Sequence, residues 1–375
     1  MPANGYRMLK IAYSTSSAEE NSLVDVLGYD IGGAYTKAAL LRVTKEKVQH
    51  SKVAIEYFPI WKEPENLTSV LLRLKKRLGC VRLDGLGITM TAELSDAYQT
   101  KREGVHHILS CVKKAFPDVP IYVLNNEVKL EALNVAAESP LSTAAANWAA
   151  TGWLVARHIK DCVAIDVGST STSIIPIVDG KVVAKGKTDL EKLMCGELVY
   201  TGSLRTNVAA IVQSIPLRNG VASVASELFA LSGDVHLALG NISEGDYSIE
   251  TADGRGKTRR EALARIARVV CADSEMLSEQ EIVSIARFIY GAQVKQVADG
   301  LAKVYSNLKK CVQGKVSIIV TGLGRDFLAR KAAKGINIDE VVDLSSLIER
   351  EAALATPAFA VALMAARRLE GKDVY

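Results

Sequence analysis

Leu27-Gly28-Tyr29-Asp30-Ile31-Gly32-Gly33-Ala34-Tyr35-Thr36-Lys37 decides the fold. An apolar run ends in an acid, two glycines follow, and a second extended run starts at Thr36. Glycine permits a tight turn and close backbone approach. The N–H groups of such a turn can converge on phosphate oxygens. The design returns 136 residues later as Asp166-Val167-Gly168-Ser169-Thr170-Ser171-Thr172-Ser173, again after a branched apolar run. Either copy alone reads equally well as an ordinary hairpin with a glycine turn. Two copies in matching contexts predict two lobes of related design facing a cleft, where ligands collect. Neither turn is a Walker loop, and neither is a dinucleotide fingerprint.

A third glycine element, Thr321-Gly322-Leu323-Gly324-Arg325-Asp326, joins a strand to a helix late in the chain. It reads either as a plain connection or as a bed for a base or ribose.

The rest of the pattern is α/β. Strands are expected at Val24–Asp30, Thr36–Val43, Val53–Phe58, Leu83–Met90 and Ile121–Leu124, and then at Cys162–Asp166, Ser173–Val178, Lys181–Lys185 and Lys315–Thr321. Asp179-Gly180 signals a type I′ hairpin. Helical spacing covers Leu67–Leu78, Gly104–Ala115, Leu130–Ala137, Ala144–His158, Lys257–Lys310, Asp326–Ala333 and Leu347–Leu369, with Pro357 as a break or a first turn. This predicts an arm over 1–22, a first lobe over 23–160, a second lobe with a helical insertion over 161–356, and a C-terminal helix over 357–375 packing back on the first lobe.

The chain has 375 residues, 49% of them apolar, which is enough for two cores. Its net charge is +4, with no concentrated basic stripe of the kind a nucleic-acid binder carries. Arg73–Arg77 reads as the solvent face of a helix. The six cysteines form no CxxC pair, which argues against structural zinc. No signal peptide is read at the N-terminus, and apolar runs fall short of the roughly 18 residues of a membrane span. The expectation is a cytoplasmic protein with free thiols, binding neither nucleic acid nor membrane. A homo-oligomer is compatible with the sequence.

The three elements in this order resemble the actin, Hsp70 and sugar-kinase superfamily. That resemblance implies a two-lobed actin-like ATPase fold, with ribonuclease H-like lobes and a cleft between them. Gly28 to Lys37 and Gly87-Ile88-Thr89-Met90-Thr91-Ala92-Glu93-Leu94 are similar to the hydantoinase and oxoprolinase branch. Within it, Tyr200 to Thr206, Asp234 to Gly240 and Thr251 to Gly254 resemble the family tied to tetrahydromethanopterin-linked one-carbon transfer and methanofuran biosynthesis. The resemblance implies a transferase that condenses an aminomethylfuran-methyl diphosphate with the phenol of γ-glutamyltyramine and releases diphosphate.

Such a reaction needs the leaving group's charge neutralised. Gly32, Gly33, Thr36 and Lys37 of the first turn are candidates, with Gly168, Ser169, Thr170 and Thr172 of the second and Arg205 as a clamp. Asp30 and Asp166 can hold Mg²⁺ or act as base, and Glu93 is a further base candidate. Glu93 reads equally as a helix N-terminal acid. His236 is read as a core histidine in preference to a base. Arg255 and Lys257 are candidate contacts for the acceptor's tail. Gly322, Gly324 and Arg325 form the nucleotide-side turn. Use of ATP stays open, so an ATP-dependent kinase or phosphohydrolase and a nucleotide-binding scaffold without sustained turnover remain alternatives.

Overall fold

Strand β1 (Val24–Ile31) is buried along nearly its whole length, as expected of a central strand covered on both faces. It pairs antiparallel with β2 (Tyr35–Thr44), which pairs with the edge strand β3 (Lys47–Tyr57). On its other side it runs parallel to β4 (Gly85–Met90) and then β5 (Ile121–Leu124), and β6 (Leu130–Ala132) closes the sheet. The computed structural model describes residues 23–45 and 47–372. The expected arm over 1–22 and the extreme C-terminus lie outside them.

The second sheet repeats this plan. β7 (Cys162–Val167) pairs antiparallel with β8 (Thr172–Val178), which carries β9 (Lys181–Val182) and β10 (Leu198–Val199). β7 also runs parallel to β13 (Ser317–Gly322), followed by β14 (Val341–Asp343). Between β10 and β13 the chain inserts the hairpin β11 (Ser214–Leu217) and β12 (Gly220–Ser223), with three helices and a core of their own.

Helices α1 (Leu67–Leu78) and α2 (Lys101–Ala115) cover the outer face of the first sheet. The short α3 (Leu133–Glu138) and α4 (Pro140–Thr143) lead to α5 (Asn147–Ala156). α5 is apolar all round and buried, as a helix between two layers must be. The second lobe adds α6 (Asp189–Cys195), α7 (Ser232–Ala238), α8 (Arg259–Arg268), the long α9 (Glu279–Lys309) and α10 (Arg330–Gly335). The last helix, α11 (Thr356–Leu369), joins α5 in one core that touches both sheets.

Glycines set how closely α11 lies on the first sheet. A Cβ at Gly28 would stand 1.9 Å from the carbonyl oxygen of Ala358, and one at Gly87 would stand 2.1 Å from that of Val361. Only bare backbone fits under the helix at these two places.

Several expectations change on inspection. Leu130–Ala132 is a strand, not the start of an alanine-rich helix, because Asn125 turns the chain back: its side chain accepts from the N–H groups of Glu127 and Lys129. The strand expected over Lys181–Lys185 keeps only two residues. Residues 347–351 are irregular turns, Ala352–Ala355 is one 3-10 turn, and the regular helix starts at Thr356, with Pro357 in its first turn. A π-helical turn, Arg325–Ala329, precedes α10. Among the described residues, Ala352–Leu369 is long and apolar enough to cross a membrane, contrary to the reading that no run is. It is 78% buried inside the protein as α11 and its approach.

Gly28→Ala and Gly87→Ala are each expected to lower the unfolding free energy by about 1–3 kcal/mol, the usual range for an overpacked core. Urea denaturation measures this, and an unchanged midpoint would contradict the close helix–sheet seat.

Candidate active site

The two acidic turns are built alike, bond for bond. In the first, the N–H of Gly32 donates to the carbonyl of Tyr35 at 2.9 Å; in the second, the N–H of Gly168 donates to that of Ser171 at 2.9 Å. Each preceding strand is tied at its end to the neighbouring parallel strand's exit, Thr91 N–H to Ile31 O at 2.9 Å and Gly324 N–H to Val167 O at 3.1 Å. In register, Asp30 faces Thr89 and Asp166 faces Thr321. The symmetry breaks at one position. Asp30 pairs across the hairpin with Lys37, whereas Asp166 pairs with Ser173.

Among the described residues, no protein acceptor lies on the N–H groups of Gly33, Ala34, Ser169 or Thr170. Four such donors on two opposed turns suit an anion. The second turn is backed by Gly202, where a Cβ would stand 2.5 Å from Thr170. The N–H groups of Ser203, Leu204 and Arg205 donate to Gly168 and Ser169.

Asp30 is buried and Asp166 half-buried. Lys37 Nζ lies 3.6 Å from Asp30, and the hydroxyl of Thr151 on α5 donates to Asp166 at 3.1 Å. Desolvation pushes both carboxyls above the usual carboxylate range, and Lys37 opposes this at each. Asp166 pushes Asp30 further up, as like charges do. Asp30 Oδ1 and the Thr89 hydroxyl are buried without a partner. Among the described residues there is no cluster of three or more metal-ligating side chains. The pair still fits Mg²⁺, which binds through one or two carboxylates plus phosphate oxygens.

Two cavities flank the turns. One, of about 270 Å³, is lined by Lys37, Asp166, Gly168 and Ser169 and by Gly322 and Arg325 of the third element. The other, of about 490 Å³, is bordered by Gly33, Thr170, Ser171 and Arg205 on the turn side and by Trp61, Trp148, Asp189 and Lys192 beyond. Arg205 reaches between lobes: its guanidinium donates to Thr170 at 3.3 Å and lies 4.6 Å from the centre of the Trp61 ring.

Some expected site residues are also engaged by the protein itself. The hydroxyl of Thr172 is fully buried and donates to the Thr201 carbonyl at 2.8 Å, so it braces the loop behind the turn. Thr36 is fully buried as well and lines neither cavity, because strand alternation turns it to the face opposite Lys37. The glycines of the third element serve close packing: a Cβ at either Gly322 or Gly324 would come 2.4 Å from Val167. Arg325 is already paired with Asp343 at 3.0 Å.

Glu93 lies behind the wall of the larger cavity, between the lining residues Thr91 and Leu94, with Lys101 at 3.7 Å. Both carboxylate oxygens lack a hydrogen bond, and burial pushes its pKa up to about 7. His236 is a core histidine, hydrogen-bonded to Gln293 at 3.0 Å and pushed down to about 3 by burial. The Gln293 amide in turn donates to Thr201 and Gly202 and so steadies the second turn. Arg255 and Lys257 line neither cavity beside the turns, and the neighbouring Asp253 is tied to Arg265 and Arg268.

Sequence reading missed Thr151, Trp148 and Lys192. The first two sit one helical turn apart on α5, which read only as alanine-rich. Their spacing of three places them on one face.

The hydantoinase/oxoprolinase family model matches residues 84–368. A (4-{4-[2-(gamma-L-glutamylamino)ethyl]phenoxymethyl}furan-2-yl)methanamine synthase from Methanocaldococcus jannaschii is 38% identical over 349 residues, covering 92% of this chain and 98% of that protein. A protein of the same name from Methanococcus vannielii is 37% identical over 215 residues, covering 57% of this chain and 94% of that protein. The solved nucleotide-free structure of an acetone carboxylase covers 92% of this chain and 70% of its own, at 10% identity and a TM-score of 0.52, a likeness of fold alone. The fold is the two-lobed actin-like one. The chain belongs to the hydantoinase/oxoprolinase family and, within it, to the family of these furan–methanamine synthases.

Glu93 yields a sign-definite prediction. Its folded pKa lies above the ordinary 4.5, so the stability it allows below that value is lost as pH rises towards 7. Glu93→Gln is expected to gain on wild type across that window, by up to about 3 kcal/mol above pH 7. Denaturant melts at pH 4.5 and 7.5 measure the difference, and a pH-independent gap would contradict the buried, protonated state.

Proposed function

We propose that this chain catalyses the reaction named by its relatives, forming the aryl ether between a furanylmethyl carbon and the phenol of γ-glutamyltyramine. The product name contains a phenoxymethyl link. Breaking that link leaves a phenol and a furanylmethyl group that needs a leaving group, and diphosphate is the one this site suits. Its four free N–H donors, Lys37 and Arg205 match an anion with charge at several oxygens. These donors are the observation that carries the reading.

In this reading the diphosphate lies across the twin turns. Gly33, Ala34, Ser169 and Thr170 donate to it through backbone N–H groups, and Lys37 and Arg205 offset its charge. Mg²⁺ held by Asp30 and Asp166 would supply Lewis-acid stabilisation of the departing charge. The acceptor enters from the larger cavity, whose tryptophans suit an aromatic ring. The protein works in the cytoplasm on small molecules.

A second reading, an ATP-dependent kinase or phosphohydrolase, is favoured by the smaller cavity where the second turn meets the third glycine element. Mixing the furan diphosphate, γ-glutamyltyramine and enzyme with Mg²⁺ separates the two. Release of diphosphate with ether formation, without added ATP, is expected. Steady MgATP hydrolysis with no ether formed would overturn the transferase reading.

Asp166→Asn is expected to lower kcat by about 100-fold or more while leaving the fold intact. Wild-type turnover in that variant would remove Asp166 from the mechanism.

A further inference from the structure

In the wall of the larger cavity a charged side chain is sealed in. Lys192, on α6, is 1% exposed and yet borders the cavity. Its ammonium lies 3.7 Å from the centre of the Trp148 ring and 3.3 Å from Glu197 Oε2. The backbone makes room for it: a Cβ at Gly186 would stand 2.6 Å from Lys192 Cγ. Glu197 is itself fixed, accepting from the N–H groups of Lys185 and Gly186.

A buried lysine is expensive unless it is paired. If it only filled the wall, an aliphatic side chain would do so without the desolvation penalty. An ammonium has three donors. Glu197 takes one at a long distance and the Trp148 face attracts the charge without accepting a strong hydrogen bond, so a donor is left for a ligand in the cavity. Burial lowers the pKa of this ammonium against the pull of Glu197, so it is the more acidic and the better donor to an anionic oxygen. The same cavity meets Gly33, Thr170 and Arg205, so one molecule's leaving group and another's nucleophile can share it.

We infer that Lys192 is a catalytic residue of the acceptor pocket, donating to the phenolic oxygen beside Trp148 and stabilising the negative charge that develops on it as its proton leaves. This rests on the ether-forming reading. In the step, the bond from the furanylmethyl carbon to the diphosphate oxygen breaks with its electron pair going to diphosphate. The phenolic oxygen supplies a pair to that carbon. The phenolic proton goes to the departing diphosphate, and Lys192 keeps its own protons.

The phenol of a tyramine has a pKa of about 10, so losing Lys192 should hurt most where the phenol is least acidic. The test uses γ-glutamyltyramine and its ring-fluorinated analogues of lower phenol pKa, with wild type, Lys192→Met, and Lys192→Met/Glu197→Gln, which leaves no lone buried charge. With γ-glutamyltyramine, both variants should lose about 100-fold in kcat/KM. Fluorination should return at least about 10-fold of that loss and change wild type little. Wild-type rates in a folded variant, or a loss that is the same for every phenol, would overturn the role of Lys192 while leaving the reaction in place. Failure of wild type to join any phenol to the furan diphosphate would overturn the functional reading and this inference with it.

Discussion

Asp30 and Asp166 meet across the seam between the lobes with a single lysine, Lys37, between their fields. Two carboxylates taken out of water beside each other cannot both stay charged without compensation. Lys37 offsets one charge, and the second turn has only Ser173 at the equivalent place. The second carboxyl therefore has no lysine of its own, and in the proposed reading a cation brought in with a phosphate would offset its charge. Much of the architecture serves to hold these three side chains together. The glycine-lined seat of α11 packs the first sheet, Thr151 on α5 anchors Asp166, and Gly322 lets β13 pass close to Val167.

The near-twofold design also divides labour. Equivalent turns give equivalent N–H donors, and the lobes then differ in what they add. The first contributes Lys37 and Trp61, and the second contributes Arg205 and Lys192. Arg205 stacked on Trp61, Lys101 paired with Asp189 at 2.7 Å and Lys62 paired with Glu250 at 2.7 Å all bridge the cleft. The exposed Lys62–Glu250 pair contributes little stability. Together the three bridging contacts are placed to set how far the lobes open.

The turns were legible because acid, glycine and hydroxyl residues follow apolar runs at matching places, and each of those features has a local cause. The strand–hairpin order of both lobes was legible for the same reason. Thr36 and Thr172 were misread because their burial depends on strand alternation and on the Thr201 loop, neither of which a motif displays. The Leu130–Ala132 strand was hidden because tertiary pairing with β5 overrides alanine's helical preference. Lys192 and Trp148 were invisible in sequence. They come from separate helices, 44 positions apart, and only packing brings the ammonium over the ring.

In the proposed reading the twin turns together hold a diphosphate. A crystal structure with Mg²⁺ and a non-hydrolysable diphosphate analogue tests it most directly. The two phosphorus groups are expected to bridge the turns, within hydrogen-bond distance of the N–H groups of Gly33 and Ser169 or Thr170, with the cation on Asp30 and Asp166. A diphosphate seated on one turn alone, or bound away from both with the two aspartates unligated, would contradict it.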